Sequence, residues 1–144
     1  MSWFKMAQDN VMYNSTGTLH VHGDGWVTID VDPDLNRYYL SRFNRSRPAT
    51  DIQIMPPKWG GHISIIRGTA NEGYELTEEI QEYFDKINNK PISFRYSPTV
   101  LTKDNRHWQL IAESNEALDI REQIGLPREP LMPLHITIGV IKQL

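Results

Sequence analysis

His62-Ile63-Ser64-Ile65 and His135-Ile136-Thr137-Ile138, 73 positions apart, follow one pattern: histidine, apolar residue, hydroxyl residue, apolar residue. Side chains alternate faces along a β-strand, so His62 and Ser64 share one face, His135 and Thr137 share another, and the isoleucines turn into a core. Two such strands make candidate acid/base elements of an α+β fold.

Reading outward, Pro56-Pro57-Lys58-Trp59-Gly60-Gly61 breaks the pattern before the first motif, and the glycine pair lets a backbone or ligand approach closely. Upstream, Thr18–His22 and Trp26–Val31 alternate around Gly23-Asp24-Gly25 and read as a hairpin. Asp32-Pro33 then caps and opens a helix with Leu35, Tyr39 and Phe43 on one face. A strand is expected at Asp51–Met55. Thr77 caps a second helix, with Glu78 and Glu79 in its first turn and Leu76, Ile80, Phe84 and Ile87 as the buried stripe. Strands are expected at Ile92–Leu101 and Trp108–Glu113, joined by the turn Lys103–Arg106. Ser114 or Asn115 caps a third helix that turns Ala117, Ile120 and Ile124 inward and stops at Gly125. A proline-rich loop, Leu126–Pro133, leads to the second motif. Helices and hairpins mixed in this order imply largely antiparallel sheets. A helix followed by a strand around both motifs suits two related lobes. Residues 1–144 read as one domain, with 1–14 a candidate N-terminal arm.

Composition narrows the function classes. Hydrophobic content of 39% and charged content of 23% are those of a folded globular chain. The absence of cysteine excludes disulfides, thiolate metal sites and a cysteine nucleophile. With no secretory signal pattern and no apolar run of about 20 residues, the chain is expected in the cytoplasm and off the membrane. A net charge of −3 argues against wrapping long nucleic acid and leaves room for a small or terminal phosphate ligand.

The two motifs resemble those of the two-histidine (2H) phosphoesterase superfamily, which includes 2′–5′ RNA ligase-like proteins and RNA 2′,3′-cyclic phosphodiesterases. The mark of that family is a repeated histidine–any residue–threonine or serine–apolar tetrapeptide, often with proline before the second histidine. Met132-Pro133-Leu134-His135-Ile136-Thr137-Ile138-Gly139 is close to the usual form, and Gly61-His62-Ile63-Ser64-Ile65 uses serine. The resemblance covers about residues 50–144. It implies a bilobal fold of two antiparallel sheets around a central cleft flanked by helices, with both motifs on the cleft floor. It also implies a phosphodiesterase that needs no metal or cofactor. The substrates it implies are nucleotides, cyclic or signalling oligonucleotides, or RNA ends with 2′,3′-cyclic phosphates or 2′–5′ linkages. Oligomeric state stays open.

Such a reaction needs a base for the attacking oxygen and an acid for the leaving oxygen. Histidine serves both near neutrality, and sequence leaves open which of His62 and His135 does which. Ser64 and Thr137 are expected to donate to non-bridging phosphate oxygens. Lys58 and Trp59 are the expected substrate-binding residues, Trp59 by stacking on a base. Arg67, five positions after His62, points away from the site on a regular strand. Arg37, Arg42, Arg45 and Arg47 are expected mostly at the solvated surface, and Tyr38, Tyr39, Tyr96 and Trp108 in packing. Two other functions fit the same chain. One is a nucleotide-binding module of the same fold that does not turn its ligand over. The other is a metal-dependent hydrolase using His20 and His22, which share a strand face, with His62; Asp24, Asp30, Asp32 or Asp34 would complete a ligand set.

Overall fold

The computed structural model describes residues 11–46, 53–58 and 60–141. Its elements are, in chain order, β1 Tyr13–Val21, β2 Trp26–Asp30, α1 Pro33–Arg45, β3 Ile54–Met55, β4 His62–Arg67, α2 Thr69–Glu72, α3 Glu78–Ile87, β5 Pro91–Tyr96, β6 Leu101–Thr102, β7 His107–Glu113, α4 Asn115–Gln123 and β8 His135–Ile141.

The helices begin where their caps dictate. The side chain of Asp32 accepts from the Asp34 amide with Pro33 in the first turn, Thr77 accepts from the Ile80 amide, and Ser114 accepts from the Ala117 amide. Each satisfies a donor that the first turn leaves without a partner. The expected apolar faces follow, with Tyr39, Phe43, Phe84, Ala117 and Ile120 buried.

All strand pairs are antiparallel and run β3-β8-β7-β5-β1-β2-β4, with β6 also on β7. Two ladders meet at β7, whose residues 107–111 pair with β8 while Ala112 and Glu113 pair with β5. The two sheets of a bilobal fold are thereby joined into one path. That path curls until its motif strands, β4 and β8, pack against each other. Each lobe repeats a plan: β2 leads through α1 to β4, and β7 leads through α4 to β8. Ile63, Ile65, Ile66, Ile136 and Ile138 fill the core between the strands and the helices.

Three expectations change. The candidate arm loses its last residues, because Tyr13 and Asn14 open β1 opposite Tyr96 and Arg95; residues 1–10 lie outside the described residues. This half of β1 is held by its ladder to β5 rather than by apolar alternation, and of the strand's nine residues only Leu19 is fully buried. The strand expected at Ile92–Leu101 breaks after Tyr96. Pro98 has no N–H to give a ladder, and the Ser97 hydroxyl accepts from the Thr99 amide in a turn that restarts the chain as β6. Of the strand expected at Asp51–Met55, Ile54 and Met55 are in β3, and residues 51–52 lie outside the described residues. Among the described residues no helix is long and apolar enough to cross a membrane.

Candidate active site

The register of the two motif strands carries a shared irregularity. Thr28 stands opposite Ser64, yet Val27 stands opposite Ile66, so Ile65 is an extra residue in β4. Gln109 stands opposite Thr137 and Trp108 opposite Gly139, so Ile138 is the extra residue in β8. Each bulge lies three residues after its histidine. A bulge turns two successive residues to the same side and shifts the alternation beyond it by one. Ile65 and Ile66 are accordingly both buried, and Arg67 returns to the face of His62 and Ser64.

This corrects the expected direction of Arg67. The arginine lines a cavity of about 300 Å³ with His135, Thr137, Lys103, His107 and Gln109, and its Nη2 reaches Met132 Sδ at 3.2 Å. A buried ion pair brackets the bulge. Arg121, 2% exposed, donates from Nη1 to the Ile65 carbonyl (3.0 Å) and to Glu72 Oε2 (2.6 Å), from Nη2 to Glu72 Oε1 (3.2 Å), and from Nε to the Pro127 carbonyl (2.9 Å). Glu72 Oε2 in turn accepts from the Arg67 amide at 3.2 Å. Backbone groups at Ile65 and Arg67 thus bond to one fixed pair, which makes the bulge a built feature.

Both imidazoles are held alike. His62 Nδ1 lies 3.2 Å from the carbonyl of Gly60, and His135 Nδ1 lies 2.8 Å from the carbonyl of Pro133, in each case two residues back. A carbonyl only accepts, so each Nδ1 carries its proton and Nε2 is left to act on a ligand. Gly60 takes a φ of +72°, a left-handed conformation that glycine adopts without strain. Gly61 admits a close neighbour, as its sequence suggested: a Cβ there would lie 2.3 Å from Asn36 Oδ1. Asn36 is buried on α1, donates from Nδ2 to the Thr137 carbonyl at 3.0 Å, and so touches both motifs with one side chain. Its Oδ1 has no hydrogen-bond partner among the described residues.

Burial lowers the pKa of His135. The Pro133 carbonyl opposes that shift, and the positive charges of Arg67, Lys103 and His62 push it further down. His135 is therefore biased toward the neutral form that accepts a proton.

His62 lines a second and larger cavity of about 610 Å³ together with His20, His22, Trp26, Thr28 and Asp30. Three of these rings form a row, with His20 over His22 and His22 over Trp26, each pair of centroids 4.0 Å apart; Trp26 also meets His62 edge-on at 5.4 Å. The Trp26 indole N–H donates to Ser64 Oγ at 3.1 Å. With its oxygen accepting that bond, the Ser64 hydroxyl has its proton available for a ligand. Behind the row, Thr28 donates to Asp30 Oδ1 at 3.0 Å, His20 Nδ1 lies 3.2 Å from Asp30 Oδ2, and His22 Nε2 lies 3.2 Å from Thr28 Oγ1. Thr28 has spent its proton on Asp30, so His22 Nε2 is the donor.

His20 and His22 do share a face, but their rings are stacked and one nitrogen of each is engaged in this way, His20 Nδ1 and His22 Nε2. Asp24 Oδ1 accepts from the Trp26 amide, and Asp32 is spent as a helix cap. Among the described residues no group of three histidine, aspartate or glutamate side chains could hold a metal ion. The ligand set of the metal-hydrolase alternative does not assemble there.

Of the expected binding residues, Lys58 is exposed in the turn before Gly60 and lines neither cavity; Trp59 lies outside the described residues. Tyr39 and Trp108 pack in the core as expected, whereas Tyr38 is exposed. Sequence reasoning missed Trp26, Thr28 and Asn36, weighed Asp30 only as a metal ligand, and turned Arg67 away from the site. For Arg67 a signal existed in the adjacent Ile65-Ile66, which breaks strict alternation.

A family model described as Swiss Army Knife, 2H phosphoesterase domain, matches residues 27–144. The chain belongs to the 2H phosphoesterase family. The 2H match begins in β2, well before the residues near 50 where the resemblance was expected to start, and so takes in Thr28, Asp30 and Asn36 as well as both motifs. No curated protein and no solved structure gives a significant match.

Proposed function

We propose that this 2H phosphoesterase cleaves a nucleotide or RNA-end phosphodiester by metal-independent acid/base catalysis, with residues 1–144 acting as one catalytic domain. The observation that carries the reading is the matched pair of histidines: each Nδ1 bonds to the carbonyl two residues back, each ring has a hydroxyl two residues on, and each lies on a bulged strand packed against the other. His135, whose neutral form is favoured, takes the proton of the attacking oxygen, either water or a neighbouring ribose hydroxyl. That oxygen bonds to phosphorus as the bond to the leaving oxygen breaks, and His62 Nε2–H protonates the leaving oxygen. Ser64, oriented by Trp26, and Thr137 donate to the non-bridging oxygens as charge builds there. The 610 Å³ cavity beside His62 is within the roughly 300–1,000 Å³ of small-ligand sites and suits a nucleoside. Lys58 and Trp59, four and three positions before His62 in sequence, are the residues assigned to the substrate's outer part. The cysteine-free composition suits a cytoplasmic site of action.

The test is a panel of 2′,3′-cyclic nucleotides, 2′–5′ and 3′–5′ oligonucleotides and cyclic dinucleotides, incubated with the wild-type protein and EDTA and followed by phosphorus NMR. Cleavage of at least one class is expected. Binding without turnover would leave a nucleotide-binding module instead, and turnover that EDTA abolishes would contradict the metal-independent mechanism.

A further inference from the structure

The two compartments flanking the histidines have opposite character. The one beside His62 holds Asp30 and a row of aromatic and imidazole rings, and among the described residues no lysine or arginine lines it. The one beside His135 holds Arg67, Lys103 and His107. Its one carboxylate, Asp104, is already occupied: it accepts from the backbone amides of Arg106 and His107 at 2.8 Å each and from His107 Nδ1 at 2.7 Å. With Arg67 and Lys103 against the single carboxylate of Asp104, the lining of this compartment carries a net positive charge and suits an anion. The scissile phosphate alone does not account for it, because Ser64, Thr137 and His62 already supply its donors.

The placement of Arg67 is also not incidental. On a regular strand its side chain would face the core, and only the Ile65 bulge, tied to the buried Arg121–Glu72 pair, brings it into the cleft. A buried ion pair is costly to desolvate, so its presence behind one strand irregularity marks that irregularity as worth holding.

We propose that Arg67, with Lys103, forms a subsite for a second phosphate next to the scissile one, so that the preferred substrates are phosphodiesters carrying at least one further phosphate. This rests on the phosphodiesterase reading above and adds a polarity to it. The base lies on the Trp26 side, the reacting phosphorus between the histidines, and the additional phosphate, carried by another hydroxyl of the same ribose, on the Arg67 side. Guanidinium suits the task because its planar fork donates to two phosphate oxygens at once. A simple 2′,3′-cyclic mononucleotide leaves the subsite empty.

Titration calorimetry with ligands that differ by one phosphate tests this. Ribonucleoside 2′- and 3′-monophosphates of the four bases are compared with the corresponding 2′,5′- and 3′,5′-bisphosphates. The proteins are wild type, Arg67→Ala and Arg67→Lys, each checked for an unchanged thermal unfolding midpoint. Expected is a bisphosphate preference of about tenfold or more in wild type, the scale of one charge-assisted contact. It should vanish in Arg67→Ala and return in part in Arg67→Lys, with the bisphosphate losing more affinity than the monophosphate. Equal affinity for both ligands in wild type, or an equal loss for both in Arg67→Ala, overturns the subsite and leaves the phosphodiesterase reading standing. Failure to bind any of these nucleotides, together with no cleavage in the diester panel, removes that reading and the subsite with it.

Discussion

Single side chains in the cleft are prepared by their neighbours, and this preparation is testable one residue at a time. Trp26 packs edge-on to His62 and donates to Ser64, so Trp26→Phe keeps an aromatic ring there while losing the N–H together with part of the indole's area. The Ser64 hydroxyl then rotates freely between donor orientations. A drop of roughly tenfold in kcat with KM little changed is expected, the worth of about one hydrogen bond; an unchanged kcat would show that Ser64 needs no such orientation. His135 makes a prediction with a sign. Its pKa lies below the usual 6.5, chiefly through burial, and its neutral form is the base. The acid limb of the wild-type kcat/KM profile should therefore lie below pH 6.5, with a fall of about tenfold per pH unit. Removing the Arg67 charge raises the His135 pKa, so the acid limb of Arg67→Ala should move to higher pH. A limb that stays in place in that variant would contradict the assignment of His135 as the base. None of this was legible in the sequence, where Trp26 is only one apolar residue in an alternating strand and Arg67 has the wrong parity.

At the scale of elements, the helices were legible because their signals are local: Asp32-Pro33, Thr77 and Ser114 sit beside the backbone amides they cap. The motif strands were legible for the same reason. Their bulges were not, because a bulge is a property of two paired strands and its support comes from 56 residues away, where Arg121 reaches the Ile65 carbonyl. Removing one partner of that buried pair leaves a charge and backbone groups unmatched. Arg121→Ala is expected to lose roughly 3–5 kcal/mol in urea unfolding, whereas Arg37→Ala, at an exposed pair with Asp34, should lose less than about 1 kcal/mol. Comparable losses for the two would show that the bracket does not hold the strand. Glu72 adds a pH dependence. Burial alone would raise its pKa, but the Arg121 hydrogen bonds, the Arg67 amide and the two positive charges outweigh this and leave it lowered. A carboxylate with a lowered folded pKa stabilises above its unfolded value and loses that contribution as pH falls through the folded one. The acid loss of stability should accordingly be shallower in Glu72→Gln than in wild type.

The molecule as a whole combines a doubled plan with unequal contents. Asp30 faces His62 across one ladder where Ile111 faces His135 across the other, and Arg67 on β4 has its counterpart in Val140 on β8. Two related lobes were legible from the repeated motif and the helix-then-strand order. The inequality between them was not, because it resides in Arg67, whose direction the bulge sets, and in side chains that reach the cleft from β1, β2, β7 and the turn after β6, none of which carries a motif. The central claim is that His62 and His135 act as a pair on one phosphodiester. Its most direct test is kcat/KM of wild type, His62→Ala, His135→Ala and the double variant, in EDTA, on whichever diester the wild type cleaves. Expected is a loss of about 100-fold or more in each single variant, with the double variant losing little beyond the worse single, because base and acid act in one step. A single variant that retains activity, or losses that simply multiply in the double, would contradict the paired-histidine account.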